Sequence, residues 1–123
     1  MRILIDTHVF IWAVSAPERL SRENRSELES RANIVYLSSI SIAEIMIKAS
    51  LGRLSFDHDP IACAETLGFE LLAFSAADAV LLKDLPFHHS DPFDRMLIVQ
   101  SMTRNTRLMS HDRAFAAYGC NLL

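Results

Sequence analysis

The feature that most limits what this chain can fold into is its opening, Met1-Arg2-Ile3-Leu4-Ile5-Asp6-Thr7, an apolar run that stops abruptly on a carboxylate. A run this short, bounded by a sharp change to polar residues, is expected of a strand buried on both faces of a parallel sheet. Asp6 then falls at the strand's carboxyl end. In open α/β sheets that edge is where ligands bind, because the loops there leave a crevice that the flanking helices do not fill. The question for the rest of the chain is whether other acids reach the same edge.

Downstream, strand and helix patterns alternate. Residues 7–14 carry Val9, Phe10, Trp12 and Ala13 at helical spacing, and Pro17 ends that helix. Residues 21–32 are polar, with Leu28 and Ala32 as sparse apolar positions, and read as an exposed helix opened by Ser21. Ile34-Val35-Tyr36-Leu37 is a second buried strand. Residues 40–51 form a mostly apolar helix, with Glu44 and Lys48 as its conspicuous polar pair and Gly52 as its stop. Pro60 opens a further helix that Gly68 closes. Residues 69–73 are a third strand, 75–82 a helix, 93–102 a strongly apolar helix, 107–110 a fourth strand and 112–118 a short helix. Cys120-Asn121-Leu122-Leu123 is expected as a fifth, edge strand. This alternation implies a parallel sheet covered on both faces.

With 123 residues, the chain has the length of one domain, 1–123, and an ordinary globular composition of 50% hydrophobic and 22% charged residues. No apolar run approaches a bilayer span, and Asp6 and His8 interrupt what a secretory signal would require, so a cytoplasmic protein is expected. Cys63 and Cys120 form no paired motif and read as reduced, small apolar side chains. A net charge of −3 argues against a uniformly basic nucleic-acid-binding surface. It leaves open a metal-dependent site, whose cation and a local basic rim reverse the field where substrate docks. Candidates for such a rim, among them Arg19, Lys48, Arg53, Arg95 and Arg107, are scattered rather than clustered.

Each acid has a structural reading as well as a chemical one. Asp6 and Asp112 follow the first and fourth strands and would cap the next helices, yet two acids at the carboxyl ends of two central strands also project into one crevice. In Asp91-Pro92-Phe93-Asp94, Asp91 is the natural helix cap and Asp94 sits in the first turn of an otherwise apolar helix. Glu44 would pair with Lys48 four residues on. Crowded by Ile40, Ala43 and Ile47, it must be paired, protonated or metal-bound. Converging carboxylates repel one another, and raised pKa values or a bound cation are the usual resolutions. An all-oxygen site suits Mg²⁺ or Mn²⁺ and leads to metal-assisted phosphodiester hydrolysis. A histidine-based zinc site is disfavoured: His88 and His89 are adjacent, His58 lies elsewhere, and no ligand spacing links them. His8 and His111 would line the crevice without holding metal.

Taken in order, Asp6-Thr7-His8, Ser41-Ile42-Ala43-Glu44-Ile45, Asp91-Pro92-Phe93-Asp94-Arg95 and Ser110-His111-Asp112 resemble the PIN domain. More narrowly, they resemble the VapC-like ribonuclease toxins of bacterial type II toxin–antitoxin modules. The resemblance implies a three-layer α/β/α sandwich with a central, mostly parallel sheet, and Mg²⁺- or Mn²⁺-dependent endonucleolytic cleavage of RNA. It also implies neutralisation by a cognate antitoxin protein, and commonly a homodimer. It maps the acidic site onto Asp6, Glu44, Asp94 and Asp112, with Thr7 and Ser110 as hydroxyl residues beside it and Asp91 in an outer shell. Asp6, Asp94 and Asp112 would hold the metal, with Glu44 completing the shell and orienting water. Two alternatives stand beside this reading: a phosphohydrolase using Asp6 as nucleophile, against which His8 occupies the place of an expected second Asp, and a binding module whose acidic crevice captures a basic partner.

Overall fold

In the computed structural model of the chain, which describes residues 1–120 and 122–123, the opening strand β1 (Arg2–Ile5) lies inside a four-stranded sheet ordered β3-β2-β1-β4. Its neighbours are β2 (Ile34–Ser38) and β4 (Arg107–Met109), with β3 (Glu70–Leu72) beyond β2, and all three pairings are parallel. Ile5 is in register with Leu37 on one side and Met109 on the other. The ladder then continues one step, the Asp6 N–H donating to the Met109 carbonyl at 3.0 Å. The backbone of Asp6 is thus fixed by the sheet itself.

Alternation along β1 divides the core. Ile3 and Ile5 pack with Val35, Leu37 and Met109 under α1 (Thr7–Ser15), α4 (Pro60–Thr66) and Ile45 of α3 (Ser39–Ser50). Leu4 faces the other way, against Leu108, Ile40, Phe115 and the Leu97 and Ile98 side chains of α6 (Pro92–Thr103). Residues one apart on a strand point to opposite faces, so a single Ile-Leu-Ile tripeptide anchors both helical layers. The result is an α/β/α sandwich, as the alternation of elements leads one to expect. Two further helices, α2 (Arg22–Glu29) and α5 (Ala76–Val80), complete the described helical layers, and no described helix is long and apolar enough to cross a membrane.

The sheet order places the site. The chain lays down β1, β2 and β3 outward in one direction, and β4 then returns to the far side of β1. The strand order therefore reverses between β1 and β4, and the crevice of an open parallel sheet lies at the carboxyl ends of such a pair. Those ends are Asp6 and Ser110 to Asp112.

Local chemistry explains most of the element boundaries. Asp6, Ser21, Ser38, Asp59, Ser75, Asp91 and Asp112 each accept a hydrogen bond from a backbone N–H of the helix they precede, satisfying donors a helix start leaves open. Gly52 and Gly68, at φ +70° and +77°, take the left-handed conformation that ends a helix with little strain. Some elements are shorter than the sequence pattern suggests. The helix expected over 21–32 stops at Glu29, where the Asn33 side-chain amide donates to the Glu27 carbonyl and closes the end. The helix expected over 75–82 is α-helical only to Val80 and tightens into a 3₁₀ turn, Leu81–Asp84. Residues 113–118 are likewise 3₁₀, closed by Gly119. Of the expected fifth strand, Leu122 makes one isolated parallel bridge to Leu108, and Asn121 lies outside the described residues.

Candidate active site

Asp6 is 5% exposed and both its carboxylate oxygens are engaged. Oδ1 accepts from the Val9 N–H at 2.8 Å and Oδ2 from the Ser110 hydroxyl at 2.5 Å. Burial nevertheless pushes its pKa above the ordinary carboxylate value, against the pull of those two donors and of His8 and His111. Beside it, Thr7 is buried at the start of α1. Its hydroxyl donates to Glu44 Oε1 at 2.7 Å and lies 3.0 Å from the Ser41 hydroxyl. Glu44, 3% exposed on α3, gives its other oxygen to the Lys48 ammonium at 2.5 Å, a contact that pushes Lys48 up. The i, i+4 pair expected from the sequence is therefore present, but it is anchored on a buried carboxylate rather than on the surface.

Across the crevice the arrangement differs. Asp91 caps α6, its Oδ1 accepting from Phe93 N at 2.8 Å and Asp94 N at 3.3 Å, with Pro92 at the first helical position. Asp94, in the first turn, then lies within reach of the charges of the other acids. Burial first, then the like charges of Asp91, Glu44 and Asp6, push Asp94 up to about 7, against the pull of His89. Asp112 caps the last 3₁₀ turn with Oδ1, and the Ala114 N–H together with His89 holds its carboxyl below the usual range. Ser110 links the two strand ends, donating to Asp6 while its oxygen accepts from the Asp112 N–H at 3.0 Å.

The residue that joins Asp94 to Asp112 is His89. Its Nε2 lies 3.0 Å from Asp94 Oδ2 and 3.0 Å from Asp112 Oδ2, and one atom from each of the three lies within 4.8 Å of the others. Sequence spacing assigns His89 no role, because its partners are five and twenty-three residues away. Arg95 also departs from expectation. Rather than joining a basic rim, it is buried, donating to the Pro86, Leu85 and His89 carbonyls at 2.9, 3.0 and 3.4 Å and stacking on the Phe87 ring at 3.9 Å. A planar guanidinium with five donors can tie down a loop in this way. The spacing of Arg95 from Asp94 hides this, since adjacent helical residues point about a quarter turn apart.

The structure thus brings together the charges of Asp6, Glu44, Asp91 and Asp94, places Asp112 beside Asp94 through His89, and leaves Thr7 and Ser110 as hydroxyl donors behind Glu44 and Asp6. Hard carboxylate oxygens in this number, with Asp94 raised by burial and by its like-charged neighbours, fit a small divalent cation such as Mg²⁺ or Mn²⁺.

Comparison with known proteins bears on the fold. The fold matches solved structures of VapBC2 from Rickettsia felis bound to a promoter DNA fragment, with a TM-score of 0.72, 18% identity and coverage of 100% of this chain and 96% of the other. It also matches DNA-bound VapBC from Salmonella typhimurium, with TM-score 0.69, 18% identity, and coverage of 99% and 96%. A third match is FitAcB from Neisseria gonorrhoeae, with TM-score 0.62, 20% identity, and coverage of 98% and 96%. Comparison with curated protein sequences gives no match. The family profile of the PIN domain, however, aligns with residues 3–119, taking in both strand ends and every acid described above, and the chain belongs to that family.

Proposed function

We propose that the chain is a metal-dependent endoribonuclease, the toxin of a toxin–antitoxin pair. The observation that carries this reading is the gathering of Asp6, Glu44, Asp91 and Asp94 at the point where the strand order reverses, where burial and then these like charges push Asp94 up to about 7. PIN domains are generally nucleases, which supplies the reaction class. Several of the structural matches carry VapBC in their names, which supports an antitoxin as the physiological partner.

In this reading Asp6, Asp94 and Asp112 hold the cation, with Glu44 completing the shell. A bound Mg²⁺ or Mn²⁺ supplies a polarised phosphoryl oxygen and a water ionised near neutral pH. The chain's own residues do the rest. Ser110 and the Val9 N–H hold the Asp6 carboxylate in one orientation. Thr7 and Lys48 do the same for Glu44, leaving its position rather than its mobility to orient an attacking water. Asp91 fixes the first turn of α6, and with it the direction of Asp94.

The test is incubation of the purified chain, free of any partner, with total cellular RNA in Mg²⁺, in Mn²⁺ and in EDTA, alongside Asp6→Asn. Discrete fragments that require both metal and Asp6 are expected. Equal cleavage by Asp6→Asn, or cleavage that persists in EDTA, would sink the assignment.

A further inference from the structure

His89 presents an N–H, not a lone pair, to the acidic crevice. Its Nδ1 accepts from the Asp91 backbone N–H at 3.2 Å, and that N–H cannot turn away, because Asp91 is held as the helix cap with Pro92 following it. An imidazole nitrogen that accepts a hydrogen bond carries no proton, so the ring proton is on Nε2. Nε2 is the atom 3.0 Å from both Asp94 Oδ2 and Asp112 Oδ2. A protonated nitrogen cannot coordinate a cation, so this geometry makes His89 a hydrogen-bond donor of the site rather than a ligand.

The ring's position is built, not incidental. The N–H groups of His88 and His89 both donate to the Tyr118 hydroxyl, at 3.1 and 2.8 Å, and Arg95 reaches the same oxygen at 3.3 Å while tying down the carbonyls of residues 85, 86 and 89. A buried guanidinium, a tyrosine hydroxyl and a helix cap thus converge on one loop, and what the loop delivers is a single N–H aimed between two carboxylates. Were Asp94 and Asp112 to hold a cation, this N–H would be free to face an anionic oxygen entering the site. In a nuclease that oxygen belongs to the scissile phosphate.

Resting on the ribonuclease reading above, we propose that His89 donates Nε2–H to a non-bridging oxygen of the substrate phosphodiester, positioning it beside the Asp94 and Asp112 carboxylates. The carboxylate contacts are then the resting position of that donor. A hydrogen bond from a fixed donor to an anionic oxygen is strong enough to matter for binding, and its loss is expected to weaken RNA affinity by about tenfold to a hundredfold.

Three readouts test this. Pulsed electron paramagnetic resonance of Mn²⁺ bound to the wild-type chain should show no directly coordinated nitrogen, a result that needs no variant. Titration calorimetry should give His89→Ala an undiminished Mn²⁺ affinity. Fluorescence anisotropy with a labelled random-sequence 20-nucleotide RNA, held in Ca²⁺ and checked to be intact, should show the loss of affinity in His89→Ala and its recovery in His89→Gln, whose amide N–H reaches about as far as Nε2. Nitrogen coupling that disappears in His89→Ala, together with weakened Mn²⁺ binding, would make His89 a ligand and overturn the proposal. Equal RNA affinity of wild type and His89→Ala would overturn it as well. A wild-type chain that binds neither Mn²⁺ nor the RNA would instead remove the ribonuclease reading on which it rests.

Discussion

On the β1–α3 side of the crevice every carboxylate oxygen has its own donor: Val9 N–H and Ser110 for Asp6, Thr7 and Lys48 for Glu44. On the α6–β4 side, Asp94 and Asp112 turn one oxygen each toward a single imidazole N–H, and Asp94 sits near 7. Both sides are rich in acids, but only on the first does each carboxylate oxygen have a separate donor from the chain, even though burial still raises Asp6. Burial of a polar group is tolerated when it is hydrogen-bonded, and a like-charge cluster is tolerated when something neutralises it. The first side solves its problem with covalently attached donors. The second leaves Asp94 raised, a problem that a bound cation would relieve, and that asymmetry gives the comparison measurable consequences.

The largest concerns catalysis and stability together. Asp94→Asn removes a charge that the fold only tolerates, so RNA cleavage should drop on the order of a thousandfold, the several kcal/mol that a correctly held metal contributes. The same variant should melt higher than wild type in EDTA. A variant that loses activity and also melts lower would show that Asp94 is structurally satisfied, and the contrast between the two sides would collapse.

Thr7→Val tests the opposite side. It leaves Glu44 Oε1 buried without its donor, and the expected cost is about 1–3 kcal/mol in urea unfolding, with metal present or absent. Little change would mean that Glu44 relaxes toward Lys48 and that this side is less rigid than its hydrogen bonds imply.

The pH dependence follows from the direction of the shifts. Asp94 holds a proton in the folded chain up to about pH 7, whereas in the unfolded chain it releases it near the ordinary value, and burial moves Asp6 in the same direction. Between those values the folded state binds more protons, so the stability of the metal-free chain should fall as pH rises from about 4 to about 7 and level off above. The full shift of Asp94 would amount to ~4 kcal/mol, and partial access of water to its carboxylate brings the expected loss nearer ~2 kcal/mol. Millimolar Mg²⁺ should flatten this slope at its upper end, and Mg²⁺ affinity itself should rise with pH through the same window. Thermal melts at several pH values with and without Mg²⁺ measure both. Asp112 and Asp78 act at lower pH and with opposite sign. The Ala114 N–H and His89 hold Asp112 low. For Asp78, burial is outweighed by the Ser75 N–H, Thr103 and Arg104. The stability these two contribute is present above the unfolded carboxylate value and lost below it.

The smallest effect sharpens the first side further. Lys48→Ala should cost only about 0.5 kcal/mol, since the Lys48 side chain is more than a third exposed and its removal lets water reach the Glu44 oxygen it covers. A loss as large as that of Thr7→Val would make the ion pair, rather than the hydroxyl, the main partner of Glu44.

What the sequence reveals and what it hides divides along similar lines. Asp6 at the end of an apolar run, Asp91 before Pro92 and the burial of Glu44 among isoleucines are legible because each depends on residues a few positions away. His89 is not legible, because its place depends on the Tyr118 hydroxyl twenty-nine residues on and on Arg95 turning inward. Arg95 itself reads as a surface cation, and only the loop carbonyls that the fold brings over it explain its burial. The short edge elements are misjudged for a related reason. β3 and the Leu122 bridge are set by how much of a neighbouring strand remains to pair with, which local pattern does not encode.

One feature of the sheet bears on how such a chain is made. Asp6 is completed by Ser110, 104 positions later, and β1 acquires its second neighbour only when β4 arrives. A ribosome adding 5–20 residues per second takes roughly 5–20 s to travel from the first acid of the crevice to the last. Throughout that interval the nascent chain has Asp6 and Glu44 but neither β4 nor Asp112. The acidic crevice is therefore incomplete while most of the chain is still being synthesised, and if the chain cuts RNA as proposed, the order of the strands would serve as a delay built into translation.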